Sequence, residues 1–147
     1  MKIYNEILQG TPEWFEIRRG KVTASHAQAI GNNGKGLESY ILDVMAEYFS
    51  STDKEQISNN HTERGIELEP TARTMYELEN DCEVEQIGFC ELNEYVGCSP
   101  DGLIGKDGMI EIKCPDDAKY FDILMNEKID SAYDWQCQMN MLILKRK

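Results

Sequence analysis

The spacing of apolar and polar positions changes character along the chain. From residue 11, TPEWFEIRRGKVTASHAQAIG reads as a short helix, a break at Gly20, and a second helix whose start is marked by Thr23 or Ser25. The clearest helix is GLESYILDVMAEYFS. There Leu37, Tyr40, Ile41, Val44, Met45 and Tyr48 recur at helical spacing and predict one apolar face. The polar run SSTDKEQISNNHTE, residues 50–63, predicts a loop. RGIELEPTARTMYELEN is helical again, with Pro70 either opening its main part or kinking it.

After Asn80 the helical spacing gives way to short runs between turn residues. CEVEQIGFCEL, YVGCSPDGLIG and MIEIKCP are strand candidates, and Asp107-Gly108 predicts a hairpin turn between the last two. From Asp116 to the end the chain reads as one or two helices. Helices, then a small mainly antiparallel sheet, then helices again make an α+β or mixed α/β class.

Composition narrows the picture only a little. The 147 residues fit one domain, and 41% hydrophobic with 29% charged residues is ordinary for a globular chain. No run of about 18 apolar residues suggests a membrane span, and the N-terminus lacks the apolar core of an export signal, so a cytoplasmic protein is expected. The five cysteines are odd in number and form no C-x-x-C pair, which favours reduced, small buried residues over structural zinc. A net charge of −12 argues against a non-specific DNA coat. It does not exclude a metal-dependent nuclease, because bound cations neutralise the carboxylates that hold them.

The chemistry gathers in SPDGLIGKDGMIEIKCP. In the run MIEIK, Ile110 and Ile112 share one face of a strand, and Met109, Glu111 and Lys113 share the other. A hairpin would bring Asp101 back towards Glu111 to within a residue or two of register. Two converging carboxylates repel unless a cation intervenes, and Mg²⁺ suits them through its preference for hard oxygen ligands. Lys113 would then orient or help deprotonate an attacking water, or stabilise transition-state charge. A bare D-x(9)-E-x-K pattern is nevertheless short, and by itself favours a solvated hairpin with a weak Glu–Lys surface pair.

Other stretches change that balance. SPDG followed by IEIKCP resembles the active-site hairpin of the PD-(D/E)xK nuclease superfamily, and more narrowly the lambda-exonuclease-like (YqaJ-type viral recombinase) family. GTPEWFEIRRGKVTAS resembles that family's W-x(3)-R…G-x-x-T-A-S segment, RGIELEPTAR its R-G-x-x-x-E…A-R helix, and SAYDWQCQMNM its Y-x-x-Q-x-Q helix. The four motifs occur in family order from about Gln9 to Met141.

The resemblance implies a PD-(D/E)xK restriction-endonuclease-like core and a Mg²⁺-dependent exodeoxyribonuclease, with Mn²⁺ as an alternative ion. Position by position it implies Asp101 and Glu111 as metal ligands, the Ile112 carbonyl as a backbone ligand and Lys113 as the catalytic lysine. Glu69 would reach the metal through water, and Gln136 would lie near the scissile phosphate. Arg18, Thr23 and Ser25 would hold a terminal 5′-phosphate.

Plainer readings stand beside these. Thr23 and Ser25 could be simple caps, Arg18 a surface charge, Glu69 a first-turn acid before Pro70, and Gln136 a core-edge amide. His26 and His61 read as structural or exposed, and Trp14 and Trp135 as core residues, unless one of the tryptophans stacks on a base.

As partners the resemblance implies linear double-stranded DNA ends, digested 5′ to 3′, and a single-strand annealing protein. It also implies a homotrimer. Family members generally continue past the point where this chain ends, at MLILKRK, so a nuclease domain without the family's last strands and helix is expected, and its shortness counts against the trimer. The rivals are an endonuclease of the same superfamily, a non-catalytic module that binds DNA or a nuclease subunit, and a metal-binding protein without a nucleic-acid partner.

Overall fold

A computed structural model describes residues 1–50 and 60–147, with side chains in the second stretch from Arg64 onward. Among the described residues the chain forms six α-helices and two small sheets. Strand β1 (Lys2–Tyr4) is followed by α1 (Pro12–Arg18). Thr11 caps α1 by accepting from the Trp14 N–H at 3.3 Å, and Pro12 takes the first helical position, where its missing N–H does no harm.

Two residues of strand, β2 (Val22–Thr23), lead into a 3₁₀ turn at Ala24–His26 and then α2 (Ala27–Asn32). The second helix therefore starts later than either hydroxyl, and Thr23 makes no side-chain capping bond. The long helix α3 spans Lys35–Phe49 as expected, but only part of its apolar face is covered. Tyr40 is buried and Leu37 and Val44 are half-buried, whereas Ile41, Met45 and Tyr48 remain exposed.

Of the run expected as a loop, residues 51–59 lie outside the described residues. From Asn60 the chain is already helical, in α4 (Asn60–Asn80). Pro70 sits inside this helix rather than at its start, so Glu69 is not a first-turn acid. The His61 side chain lies outside the described residues.

The second half supplies β3 (Val84–Glu85), β4 (Phe89–Asn93), β5 (Val96–Cys98), β6 (Gly102–Ile104) and β7 (Gly108–Ile110), then α5 (Asp117–Asn126) and α6 (Ser131–Leu144). One sheet has the order β1-β4-β5-β2, with β2 parallel to β5 and the other pairs antiparallel. The other has the order β3-β6-β7 and is antiparallel throughout.

The β6–β7 hairpin pairs Gly102 with Ile110 and Ile104 with Gly108, so its loop is residues 105–107. The turn belongs to Gly105, whose φ of 52° lies in the left-handed region; of the expected Asp107-Gly108 turn, Asp107 lies in the loop and Gly108 in β7. Strand β7 ends at Ile110, short of Glu111–Lys113. Gly102 has a separate constraint, because a Cβ there would overlap Val84 Cγ1 of β3.

Helix α6 packs across both sheets and the 3₁₀ turn. Ile143 and Leu144 join Ala24, Ile87, Cys90, Cys98 and Leu103 in the core, with Met109 and Met139 packed against it. Cys90 and Cys98 are buried and face each other across β4 and β5, whereas Cys82, Cys114 and Cys137 are only half-buried. Trp135 is not a core residue: it is 40% exposed and lays its ring against Gly31 of α2.

Candidate active site

The register of the β6–β7 hairpin, continued one position beyond Gly102 and Ile110, sets Asp101 opposite Glu111. Asp101 Oδ2 accepts from the Ile112 N–H at 2.6 Å, which ties the residue before β6 to the chain leaving β7. The Glu111 side chain lies on the face shared with Met109, towards α6, and is only 3% exposed. That number disposes of the solvated-hairpin reading.

A carboxylate so buried must be paired. Glu111 Oε1 accepts from Lys113 Nζ at 2.6 Å and from Gln136 Nε2, and Oε2 accepts from Asn140 Nδ2 at 2.9 Å. Gln136 and Asn140 stand one helical turn apart on α6 and so present two amides on one face. Lys113 also lies over the Tyr133 ring, 5.5 Å from its centroid.

The electrostatics of the group are unbalanced. Burial, and then the Asp101 charge, pushes the Glu111 carboxyl up to about 7. Burial raises Asp101 as well, against the opposing Ile112 N–H. Burial and the Asp101 charge raise Glu69, which accepts from Arg73 on the next turn of α4. Burial alone would lower Lys113, but the Glu111 and Asp101 carboxylates outweigh it and hold the ammonium above its ordinary value. Nearby negative charge therefore exceeds what one lysine and one arginine offset.

Glu69, Asp101, Ile112 and Lys113 line a cleft of about 480 Å³, with Arg64 and Lys119 at its edge. Arg64 donates to the carbonyls of Cys114 and Pro115 and pairs with Asp117 at 3.1 Å, so α4 grips the backbone just beyond Lys113. Among the described residues no three His, Cys, Asp or Glu side chains close into a ready-made metal cage. Glu69 and Asp101 border that open space, with Glu111 enclosed behind it, and such a set suits Mg²⁺, which keeps several waters and takes few protein ligands.

A second cavity, of about 970 Å³, opens beside α1 and is lined by Arg18, Arg19, Lys21, Thr23, His26 and Tyr40 among others. Arg18 is not a surface charge. Burial pulls its guanidinium down to about 10, its Nη1 donates to Ser99 Oγ at 2.9 Å, and the group lies 4.0 Å above the Trp14 ring. Thr23 Oγ1 is 3.2 Å from Ser25 Oγ, which is 3.2 Å from His26 Nδ1, and His26 stacks on Tyr40. Burial and then Arg18 hold His26 below its ordinary pKa.

Arg18, Thr23 and Ser25 thus gather at one place, and Asp101, Glu111, Ile112, Lys113, Glu69 and Gln136 at another. The sequence reading missed three participants. Ser99 bonds Arg18, Arg73 holds Glu69, and Asn140 holds Glu111. Trp14 also proves to be more than core filling, because its indole N–H donates to Gly88 O at 2.8 Å and Ser99 Oγ at 3.1 Å. The i, i+4 spacings Trp14–Arg18, Glu69–Arg73 and Gln136–Asn140 were the available signal.

A sequence profile of the YqaJ-like viral recombinase domain matches residues 13–146. The chain belongs to that family. Among solved structures, this YqaJ-like chain is similar to an alkaline exonuclease, LHK-Exo from Laribacter hongkongensis, with a TM-score of 0.85 and 33% identity. The match covers 93% of this chain and 70% of that one. The same enzyme in complex with dAMP matches with a TM-score of 0.85 and 34% identity, over the same shares. No curated protein sequence gives a match.

The mixed α+β fold is therefore that of an alkaline exonuclease of the PD-(D/E)xK type, and the chain is a member of a nuclease family. No helix among the described residues is long and apolar enough to cross a membrane.

Proposed function

We propose that this YqaJ-like chain is a single nuclease domain that hydrolyses linear double-stranded DNA from 5′-phosphorylated ends, 5′ to 3′, with Mg²⁺ as cofactor and Mn²⁺ as a substitute. The observation that carries the reading is the Glu111 carboxylate. It is held almost out of solvent by Lys113, Gln136 and Asn140, with Asp101 opposite it at the wall of an open cleft.

Asp101, Glu111 and the Ile112 carbonyl would hold the ion, and Glu69, kept in place by Arg73, would reach it through water. The ion would supply Lewis acidity, lowering the pKa of water and offsetting charge on the phosphate. Their raised pKa values support this assignment, because carboxylates that repel one another in a buried place gain most from a cation. Lys113, whose ammonium the Glu111 and Asp101 carboxylates favour, would donate to the attacking water and to the phosphate oxygens. Gln136, anchored on Glu111, would lie beside the scissile phosphate.

The cavity lined by Arg18 and Thr23, with Ser25 against Thr23, would take the terminal phosphate. A buried guanidinium whose bonded neighbour is a hydroxyl has donors to spare for a dianion. Ser99 joins this cavity to the cleft, because only Pro100 separates it from Asp101. Such an enzyme would work in the cytoplasm of a bacterial or phage-infected cell, beside a single-strand annealing protein.

The test compares linear duplex DNA carrying 5′-phosphates with the same DNA closed into a circle, each with Mg²⁺ or EDTA and with wild-type protein or Lys113→Ala. Loss of the linear form alone, dependent on metal and on Lys113, is expected. Cutting of the circle would replace the reading with an endonuclease, and binding without cutting would leave a non-catalytic module.

A further inference from the structure

Asn140 has an environment that packing alone does not justify. It is 0% exposed on the α6 surface that also carries Ile143 and Leu144 into the core. An apolar residue of the same size would fill that place without polar atoms to satisfy. Its Nδ2 has a partner, Glu111 Oε2 at 2.9 Å, but its buried Oδ1 has none among the described residues. A buried acceptor left unmade carries its full desolvation cost, which offsets what the bond to the Glu111 carboxylate returns, so stability explains the residue poorly.

The division of labour around Glu111 is uneven. Lys113 and Gln136 both donate to Oε1, whereas Asn140 is the donor to Oε2. Lys113 is about a third exposed and has cleft space to move into. Asn140 has no such freedom, being enclosed by the helix and the core. Side chains behind a metal ligand commonly fix the ligand's orientation, and their loss weakens metal binding about 10- to 100-fold.

We infer that Asn140 is the positioning residue that fixes the rotamer of Glu111, and so sets this site's affinity for a divalent cation. The inference rests on the proposed metal role of Glu111. Asn140 touches neither substrate nor ion in this scheme and acts through the carboxylate it holds. Its orphaned Oδ1 is the consequence of spending the residue on one bond.

The experiment measures Mn²⁺ affinity of the whole chain by calorimetry, without DNA, for the wild type, Glu111→Gln, Asn140→Leu and Ile143→Val. Asn140→Leu keeps the number and branching of side-chain heavy atoms and removes the donor. Ile143→Val loosens the same buried face without touching Glu111, and so controls for plain destabilisation. A loss of about tenfold or more in Asn140→Leu, with Ile143→Val unchanged, is expected.

Asn140→Ser serves as a second variant. It cannot overpack, its hydroxyl is too short to reach Glu111, and it should lose affinity similarly. Unchanged affinity in folded Asn140→Leu or Asn140→Ser, or equal losses in Ile143→Val, would overturn the inference while leaving the metal site standing. If the wild type binds no Mn²⁺, or Glu111→Gln binds it as well as the wild type, the metal role of Glu111 itself falls.

Discussion

Glu111 offers the sharpest test of the electrostatics, because its charge is a burden on the metal-free fold. Its carboxyl titrates at about 7 in the folded chain against an ordinary value of 4.5. A folded-state pKa above the unfolded one means that the folded state binds the proton more tightly, so deprotonation destabilises it. The penalty is absent below pH 4.5, grows between there and about 7, and is complete above. At about 1.4 kcal/mol for each factor of ten in proton affinity, it comes to about 3 kcal/mol.

Glu111→Gln removes that charge but sets its one carboxamide N–H₂ against the amide donor of either Gln136 or Asn140, a mismatch that costs about 1 kcal/mol. The variant should therefore be more stable than the wild type by about 2 kcal/mol at pH 8.5 in EDTA. At about 2–4 °C per kcal/mol for a chain of this size, Tm should rise by roughly 4–8 °C. Thermal unfolding followed by circular dichroism from pH 4.5 to 8.5 would show the advantage shrinking, then reversing, as the pH falls. Mg²⁺ should narrow it at pH 8.5 by stabilising the wild type alone. A variant less stable than the wild type by the same amount at both ends of the range would refute the reasoning.

Other outcomes are expected on the same grounds. Lys113→Ala should lower single-turnover hydrolysis about 10²- to 10⁴-fold while DNA binding, measured by fluorescence anisotropy in Ca²⁺, changes little. Arg18→Ala should reduce the preference for 5′-phosphate over 5′-hydroxyl duplexes by about 10- to 100-fold, as befits loss of a charged hydrogen bond, in a competition digest of the two. Trp14→Phe removes the indole N–H that Gly88 O and Ser99 Oγ share, and should lower Tm by roughly 2–6 °C. Gly102→Ala forces Val84 aside and should destabilise by about 1–3 kcal/mol in urea unfolding.

The long helices and the hairpin were legible because their patterns are local: apolar positions at helical spacing in α3 and α4, and turn glycines beside short apolar runs. Asp101 and Glu111 were brought together by hairpin register alone, and that expectation matches the paired strands. The turn itself went to Gly105, which takes the left-handed conformation at the first position of the three-residue loop, while Gly108 pairs with Ile104 inside β7.

What sequence could not give is what lies across the fold. Glu111 looks like a surface acid until α6 covers it, and Arg18 like a surface charge until Ser99 and Trp14 enclose it. Asn140 carries no local mark beyond its i+4 spacing from Gln136, because only the tertiary approach of α6 to the chain leaving β7 makes it a partner of Glu111. Strands β1 and β2 were missed for the same reason. They are too short to show alternation, and their identity comes from pairing with β4 and β5.

The segment Ser99-Pro100-Asp101 carries a consequence of its own. Gln9 donates to the Pro100 carbonyl at 2.9 Å, Trp14 and Arg18 hold the serine, and the proline ring fixes its own φ, so the segment is stiff. On the proposed reading, one end of it meets the terminal phosphate and the other meets the bond to be cut. A single rigid residue then serves as a gauge block for the product. An insertion at this point should change how many nucleotides leave at each step before it changes how quickly they leave.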